Sequence, residues 1–177
     1  MQQENSLYDP RNEHDACGIG FVANIKGNKD HQTISDALTM LENMEHRGAC
    51  GCEANTGDGA GIMIQIPHEF LFEECINLGF HLPDPGDYGI AVLFLPKDTK
   101  LKRECKEALE RCADKLGLEI LGYRPIPVNR SGIGPTALSV EPDMEHLFIA
   151  RPSEVPTGDA FERKLFFLKN YTSHTIR

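Results

Sequence analysis

Apolar residues fall in short runs between polar turns, and their spacing switches between two periods. Gly18 to Ile25 is a short apolar run rich in β-formers and predicts a buried strand starting at or near Cys17. Gly27-Asn28 marks a turn. The period then changes. Ile34, Ala37, Leu38, Leu41 and Met44 or Glu45 recur every 3.6 residues, so a helix capped by Thr33 or Ser35 runs to about Arg47, and Gly48 can end it. Five glycines follow closely, at 48, 51, 57, 59 and 61, in a loop that must turn sharply or approach another group. Gly61 to Ile66 reads as a second strand stopped by Pro67. A short amphipathic helix is predicted over His68–Leu78.

A polar, Pro-rich connection over 81–87 leads to a third strand, Tyr88–Leu95. Asp98–Leu116 is the clearest helix. Leu101, Cys105, Ala108, Leu109, Cys112 and Leu116 line one face, and Gly117 ends it. That periodicity makes Cys105 and Cys112 small hydrophobes of the core. Leu118–Val128 reads as a strand interrupted by Pro125 and Pro127, hence an edge or exit segment. Residues 131–135 form a loop and His146–Ala150 a further strand. The stretch 159–177 opens as a helix, with Phe161, Leu165 and Leu168 on one face, and then turns polar. Strand clusters with helices between them give an α+β or α/β class with at least four strands.

Composition narrows the function classes. The chain has 177 residues, enough for one sizeable domain. Eighteen basic against 27 acidic residues give a net charge of −9, the wrong sign for a broad nucleic-acid or anionic-membrane surface. The longest apolar run, Ile90 to Leu95, is far short of the ~20 residues that span a bilayer. Residues 1–16 are mostly polar, without the apolar segment of a secretory signal, so the expected compartment is the cytoplasm. They read as a leader or extended arm. Six cysteines in that compartment are expected to be reduced thiols.

Cys17 has two readings. It can simply pack at the start of a buried strand. Alternatively, cleavage of the Ala16–Cys17 bond makes it the first residue of the chain. An α-amine has a pKa of roughly 7.7–8, close to ideal for a general base at neutral pH. A thiol on the same residue then needs no separate histidine.

Asp15-Ala-Cys17-Gly-Ile-Gly-Phe21 resembles the start of the class II, N-terminal-nucleophile glutamine amidotransferases, and His46-Arg47-Gly48 after a helix strengthens the match. Within that superfamily, Thr56-Gly-Asp-Gly-Ala-Gly-Ile-Met-Ile-Gln-Ile-Pro67 resembles the large subunit of glutamate synthases. Pro127 to Pro135, Glu141-Pro142 and Phe161-Glu-Arg-Lys-Leu165 resemble it too, in order and spacing. The resemblance runs through essentially the whole chain.

The resemblance implies an α+β fold, a four-layer αββα sandwich of the N-terminal-nucleophile hydrolase type, of which this chain is the N-terminal portion. Residues 1–16 are then a propeptide, and 17–177 the first part of the glutaminase domain. The implied reaction is hydrolysis of the L-glutamine amide through a cysteinyl thioester. In the full enzyme the ammonia combines with 2-oxoglutarate at a flavin site to give glutamate. FMN, an iron–sulfur cluster and NAD(P)H or ferredoxin are implied for that enzyme, and no cofactor for this segment. A small-subunit partner and homo-oligomers are compatible with it; nucleic-acid and membrane partners are not expected.

Carried over by position, Cys17 is nucleophile and, through its amine, base. Arg47 either orients a substrate carboxylate or simply complements the end of its helix. Gly18 belongs to the active-site loop and lets substrate approach the backbone. Asp58 reads first as a turn-forming aspartate and second as a positioning group in the active-site wall. Cys50 and Cys52, near His46, lack the second ligand pair of a zinc site, so no metal is expected.

The family's Asn-Gly oxyanion pair and its Arg and Asp substrate clamp lie further along a complete domain. No Asn-Gly occurs in this chain; Gly27-Asn28 is in the wrong order. One oxyanion donor is worth ~2.7–4 kcal/mol, so a fragment ending at Arg177 is expected to be nearly inactive. Exposed strand edges would favour self-association. Self-cleavage needs a strained, folded loop, and residues 1–16 are expected to stay attached. Two rival readings are another class II amidotransferase, of the asparagine synthetase or amidophosphoribosyltransferase type, and a non-catalytic binding or regulatory remnant of the fold.

Overall fold

The computed structural model describes residues 18–44, 53, 55–57 and 59–176. In chain order these form α1 (His31–Asn43), α2 (His68–Asn77), β1 (Tyr88–Leu95), α3 (Thr99–Lys115), β2 (Glu119–Pro125), α4 (Pro135–Val140), β3 (Asp143–Ala150) and α5 (Asp159–Thr175). The chain divides into two units: Met1–Gln65 with Arg130–Ser139, and Ile66–Asn129 with Val140–Arg177.

The second unit is built on one antiparallel sheet in the order β1-β3-β2. β1 is an unbroken apolar run with β-formers at alternate positions, and Pro96 stops it, as its sequence predicts. It pairs with β3 along its whole length, Tyr88 opposite Ala150 and Leu95 opposite Asp143. β3 begins three residues before the predicted His146, because Asp143, Met144 and Glu145 continue the ladder to β1. β2 is an edge strand ending at Pro125, as the two prolines imply. A bulge at Leu121 breaks its register: Ile120 faces Ile149, but Gly122 faces Phe148. Leu121 and Gly122 therefore lean to the same face, where a Cβ on Gly122 would meet the Phe80 ring.

Helices cover both faces of this sheet. On one, Leu109, Cys112 and Ala113 of α3 and Phe161 and Leu168 of α5 pack against Leu147 and Ile149. On the other, Leu71 and Cys75 of α2 pack with Leu82, Tyr88 and Phe148. α3 starts where Asp98 accepts a 2.8 Å hydrogen bond from the Leu101 N–H, and ends at Gly117 with φ +62°. Cys112 is buried and Cys105 half-buried, as the helical period requires. Leu101 departs from the expected stripe. It is exposed, since it sits in the first turn, beyond the packed part of the helix. α5 runs helical through its polar half to Thr175, where the sequence became ambiguous; buried Thr172 extends the apolar face by one turn.

The first unit differs more from expectation. Gly18–Ile25 and Gly61–Ile66 are not strands, and the described residues hold three strands where at least four were expected. Their apolar content signals burial, but neither has a ladder partner among the described residues. Ile19 and Met63 are 98% and 99% exposed. The turn expected at Gly27-Asn28 closes slightly earlier, with the Gly27 N–H donating to the Asn24 carbonyl and the Lys26 N–H to the Asn24 side chain. α1 begins at His31 rather than at Thr33 or Ser35, because Asp30 caps it by accepting from the Gln32 N–H at 2.9 Å. It ends at Asn43, where the Met44 N–H closes onto the Met40 and Leu41 carbonyls, before the predicted end at about Arg47, a residue outside the described ones. α4, six residues long, replaces part of what read as loop. Among the described residues, no helix is long and apolar enough to cross a membrane.

Candidate active site

Cys17, Arg47 and Asp58 lie outside the described residues. The segments that flank them do not. Gly18 is exposed, directly after Cys17, and Gly20 then runs against α1 so closely that a Cβ there would strike the Met40 side chain. Gly20 thus lies against α1. A side chain at 20 would have to displace the free end of Met40.

The glycine loop is tied from its other side. Glu53 Oε1 accepts a 2.7 Å hydrogen bond from the Thr136 N–H, and Oε2 accepts from the Thr56 hydroxyl at 3.4 Å. The Thr56 N–H closes a turn onto the Glu53 carbonyl at 3.2 Å. Gly134 is buried, and a Cβ there would sit on the Glu53 carboxylate. The segment 131–135, read as a loop in the sequence, is the seat of a side chain from far upstream.

In the second unit the charged groups are structural. Glu145 is buried, and Lys102 and Lys106 hold it at 2.7 and 2.5 Å. Burial alone would raise its pKa, but the two lysine hydrogen bonds and charges win and hold it below the usual 4.5. Arg124, also buried, donates through Nε and Nη2 to Glu74 Oε2 at 3.0 and 2.7 Å and lies over the Phe70 ring. His146 pairs across the sheet with Val92 and Arg124, and its buried Nδ1 has no hydrogen-bond partner. Burial first, and the Arg124 charge second, hold its pKa below 6.5. Burial pushes the Cys75 thiol up to about 11, so it is no nucleophile at neutral pH.

The Glu145 and His146 shifts are both downward, and both cost stability in acid. Unfolded His146 takes a proton that the folded site refuses, so stability falls as pH drops below 6.5. Glu145 is ionised in the fold, and its contribution is lost as pH falls below 4.5. Urea titrations at pH 7, 5.5 and 4 should show two successive losses. His146→Gln should flatten the first loss alone; an unchanged slope between pH 7 and 5.5 in that variant would contradict the assignment.

No group of three metal-ligating side chains occurs among the described residues. Cys75 and Cys112 lie on opposite faces of the sheet, so they form no cluster-binding set with each other. His46, Cys50 and Cys52 lie outside the described residues. The donor set described therefore does not fit an iron–sulfur centre.

The sequence profile of the class II glutamine amidotransferases matches residues 17–177. The chain belongs to the class II glutamine amidotransferases. The match begins at the cysteine singled out above. Similarity to glutamate synthases covers nearly the whole chain. The NADH glutamate synthase of Schizosaccharomyces pombe is 40% identical over 181 residues, 99% of this chain and 9% of that protein. The NADPH glutamate synthase large chain of Bacillus subtilis is 36% identical over 169 residues, 96% of this chain and 11% of that protein. The chloroplastic ferredoxin-dependent glutamate synthase 2 of Arabidopsis thaliana is 35% identical over 170 residues, 96% and 10%.

The chain thus spans about a tenth of the length of these relatives. The resemblance carried by His46-Arg47-Gly48 and Thr56–Pro67 is upheld at the level of family and of similarity to glutamate synthases. The amidotransferase chain has a mixed helix and strand content with a small antiparallel sheet. Sequence reasoning did not find Glu53, because its partner stands 83 residues away and no spacing rule links them.

Proposed function

We propose that this chain is the glutamine-hydrolysing part of a glutamate synthase, with Cys17 as nucleophile. One observation carries the reading: the amidotransferase match opens on Cys17, within a chain similar along nearly its full length to glutamate synthases of three electron-donor types. The Cys17 sulfur attacks the side-chain amide carbon of glutamine, and its thiol proton passes to the α-amine. The amine returns that proton to the departing ammonia, leaving a γ-glutamyl thioester. Water then hydrolyses the thioester to glutamate and the free thiol. Arg47 orients the substrate carboxylate, and Gly18 and Asp58 belong to the active-site wall.

The amine exists only once residues 1–16 are removed, so these are the leader and 17–177 the glutaminase portion. A four-layer αββα sandwich is the architecture we infer; the exposed apolar Val92 and Phe94 on the α2 face of the sheet support a further layer. In the whole enzyme the ammonia meets 2-oxoglutarate, with FMN, an iron–sulfur cluster and NAD(P)H or ferredoxin supplying reduction outside the residues described. A cytoplasmic enzyme, a small subunit and homo-oligomers fit this reading.

Covalent capture tests it better than turnover, because capture needs the nucleophile and little else. A diazoketone analogue of glutamine should place one adduct per processed chain on Cys17, and glutamine should suppress it. Intact mass on the same sample shows whether the chain begins at Met1 or Cys17. An adduct spread over several thiols, or indifferent to glutamine, would sink the proposal.

A further inference from the structure

We propose that Glu53 is a positioning residue: its carboxylate clamps the glycine loop that carries Asp58 to the 131–136 turn. The inference rests on the functional reading above only in taking that loop as a wall of the glutamine site.

The geometry divides the carboxylate between two segments. Oε2 stays local and takes the Thr56 hydroxyl, two residues before Asp58. Oε1 reaches across 83 residues to the Thr136 N–H at 2.7 Å, the distance of a charge-assisted hydrogen bond. Thr136 is the second residue of α4, and first-turn N–H groups have no acceptor within their own helix. The first intrahelical bond comes two residues later, from the Leu138 N–H to the Gly134 carbonyl. Glu53 therefore supplies what α4 lacks. The turn in its way has been cleared: Gly132 takes φ +97°, where a side chain would be strained, and Gly134 has no Cβ to displace the carboxylate. Two glycines of Ser131-Gly-Ile-Gly-Pro135 thus have separate causes, one dihedral and one steric.

Two chemically different changes should release the clamp. Glu53→Ala removes the acceptor. Gly134→Ala keeps Glu53 but evicts its carboxylate, which is the free end of a flexible side chain. Glu53→Gln keeps an acceptor oxygen without the charge. Amide exchange on the full chain should show Thr136 losing protection by about tenfold or more in both alanine variants and much less in Glu53→Gln. The amides of β3 should be unchanged, which excludes global unfolding.

Capture by the diazoketone analogue gives the functional readout. In the alanine variants its half-saturating concentration should rise about tenfold while iodoacetamide modifies Cys17 at the parent rate, with Glu53→Gln restoring most of the loss. Unchanged Thr136 exchange in Glu53→Ala overturns the clamp. Lost protection with unchanged half-saturation overturns the positioning role. Absence of capture in a parent chain whose intact mass shows that it begins at Cys17 overturns the functional reading instead, and the Thr136 exchange then decides the clamp alone.

Discussion

Cys17→Ser should slow covalent capture of a glutamine analogue by at least about a thousandfold. The thiolate is the attacking species, and an alcohol beside a weak base is protonated throughout the accessible pH range. The pH profile carries more information than the loss itself. When residues 1–16 are gone, the base is an α-amine of pKa roughly 7.7–8, so the rate should climb to about pH 8 and then level. A chain that keeps those residues has an amide there instead. Any residual reaction then follows the free thiol, near 8.5. Separating the two forms by mass and titrating each one distinguishes the amine from any other base. Buried Cys75 and Cys112 should stay unmodified in both forms. A processed chain that followed the thiol profile would remove the amine from the mechanism.

Phe148→Ala is expected to cost about 3–5 kcal/mol of stability, a large share of what a domain of this size possesses. Phe148 is fully buried at the centre of β3 and touches the rings of Phe80, Tyr88 and His146. Among the described residues β3 is also the only strand paired on both sides, so a void there loosens both neighbours. Phe167→Ala is the control: its ring is 60% exposed on α5, and the change should stay within about 0.5 kcal/mol. Urea unfolding at pH 7 compares the two. Similar midpoints would mean that the α2 side of the sheet is not a packed core.

Legibility in the sequence followed the strength of local signals. β1 was readable because a Pro-rich connection and Pro96 bound an uninterrupted apolar run. α3 was readable because period, the Asp98 cap and Gly117 all agree. Gly18–Ile25 and Gly61–Ile66 misled for the opposite reason. An apolar run states that a segment is to be buried, not what it pairs with, and strand pairing is a property of two segments. α4 escaped because six residues carry too little periodicity to register. The proposed site divides the same way. Its motifs were legible by resemblance in Cys17-Gly-Ile-Gly, His46-Arg47-Gly48 and the Thr56 segment. The tie from Glu53 to Thr136 was not, since only the folded backbone makes those residues neighbours.

The bulge at Leu121 makes this sheet one-handed in its capacity to grow. Two consecutive residues lean the same way there and Pro125 has no N–H to offer, so the β2 margin presents an interrupted row of donors and acceptors. The β1 margin is eight residues long and regular. Any additional strand, from this polypeptide or another, will therefore be recruited alongside β1, and charge or proline introduced on that side is where unwanted polymerisation can be blocked.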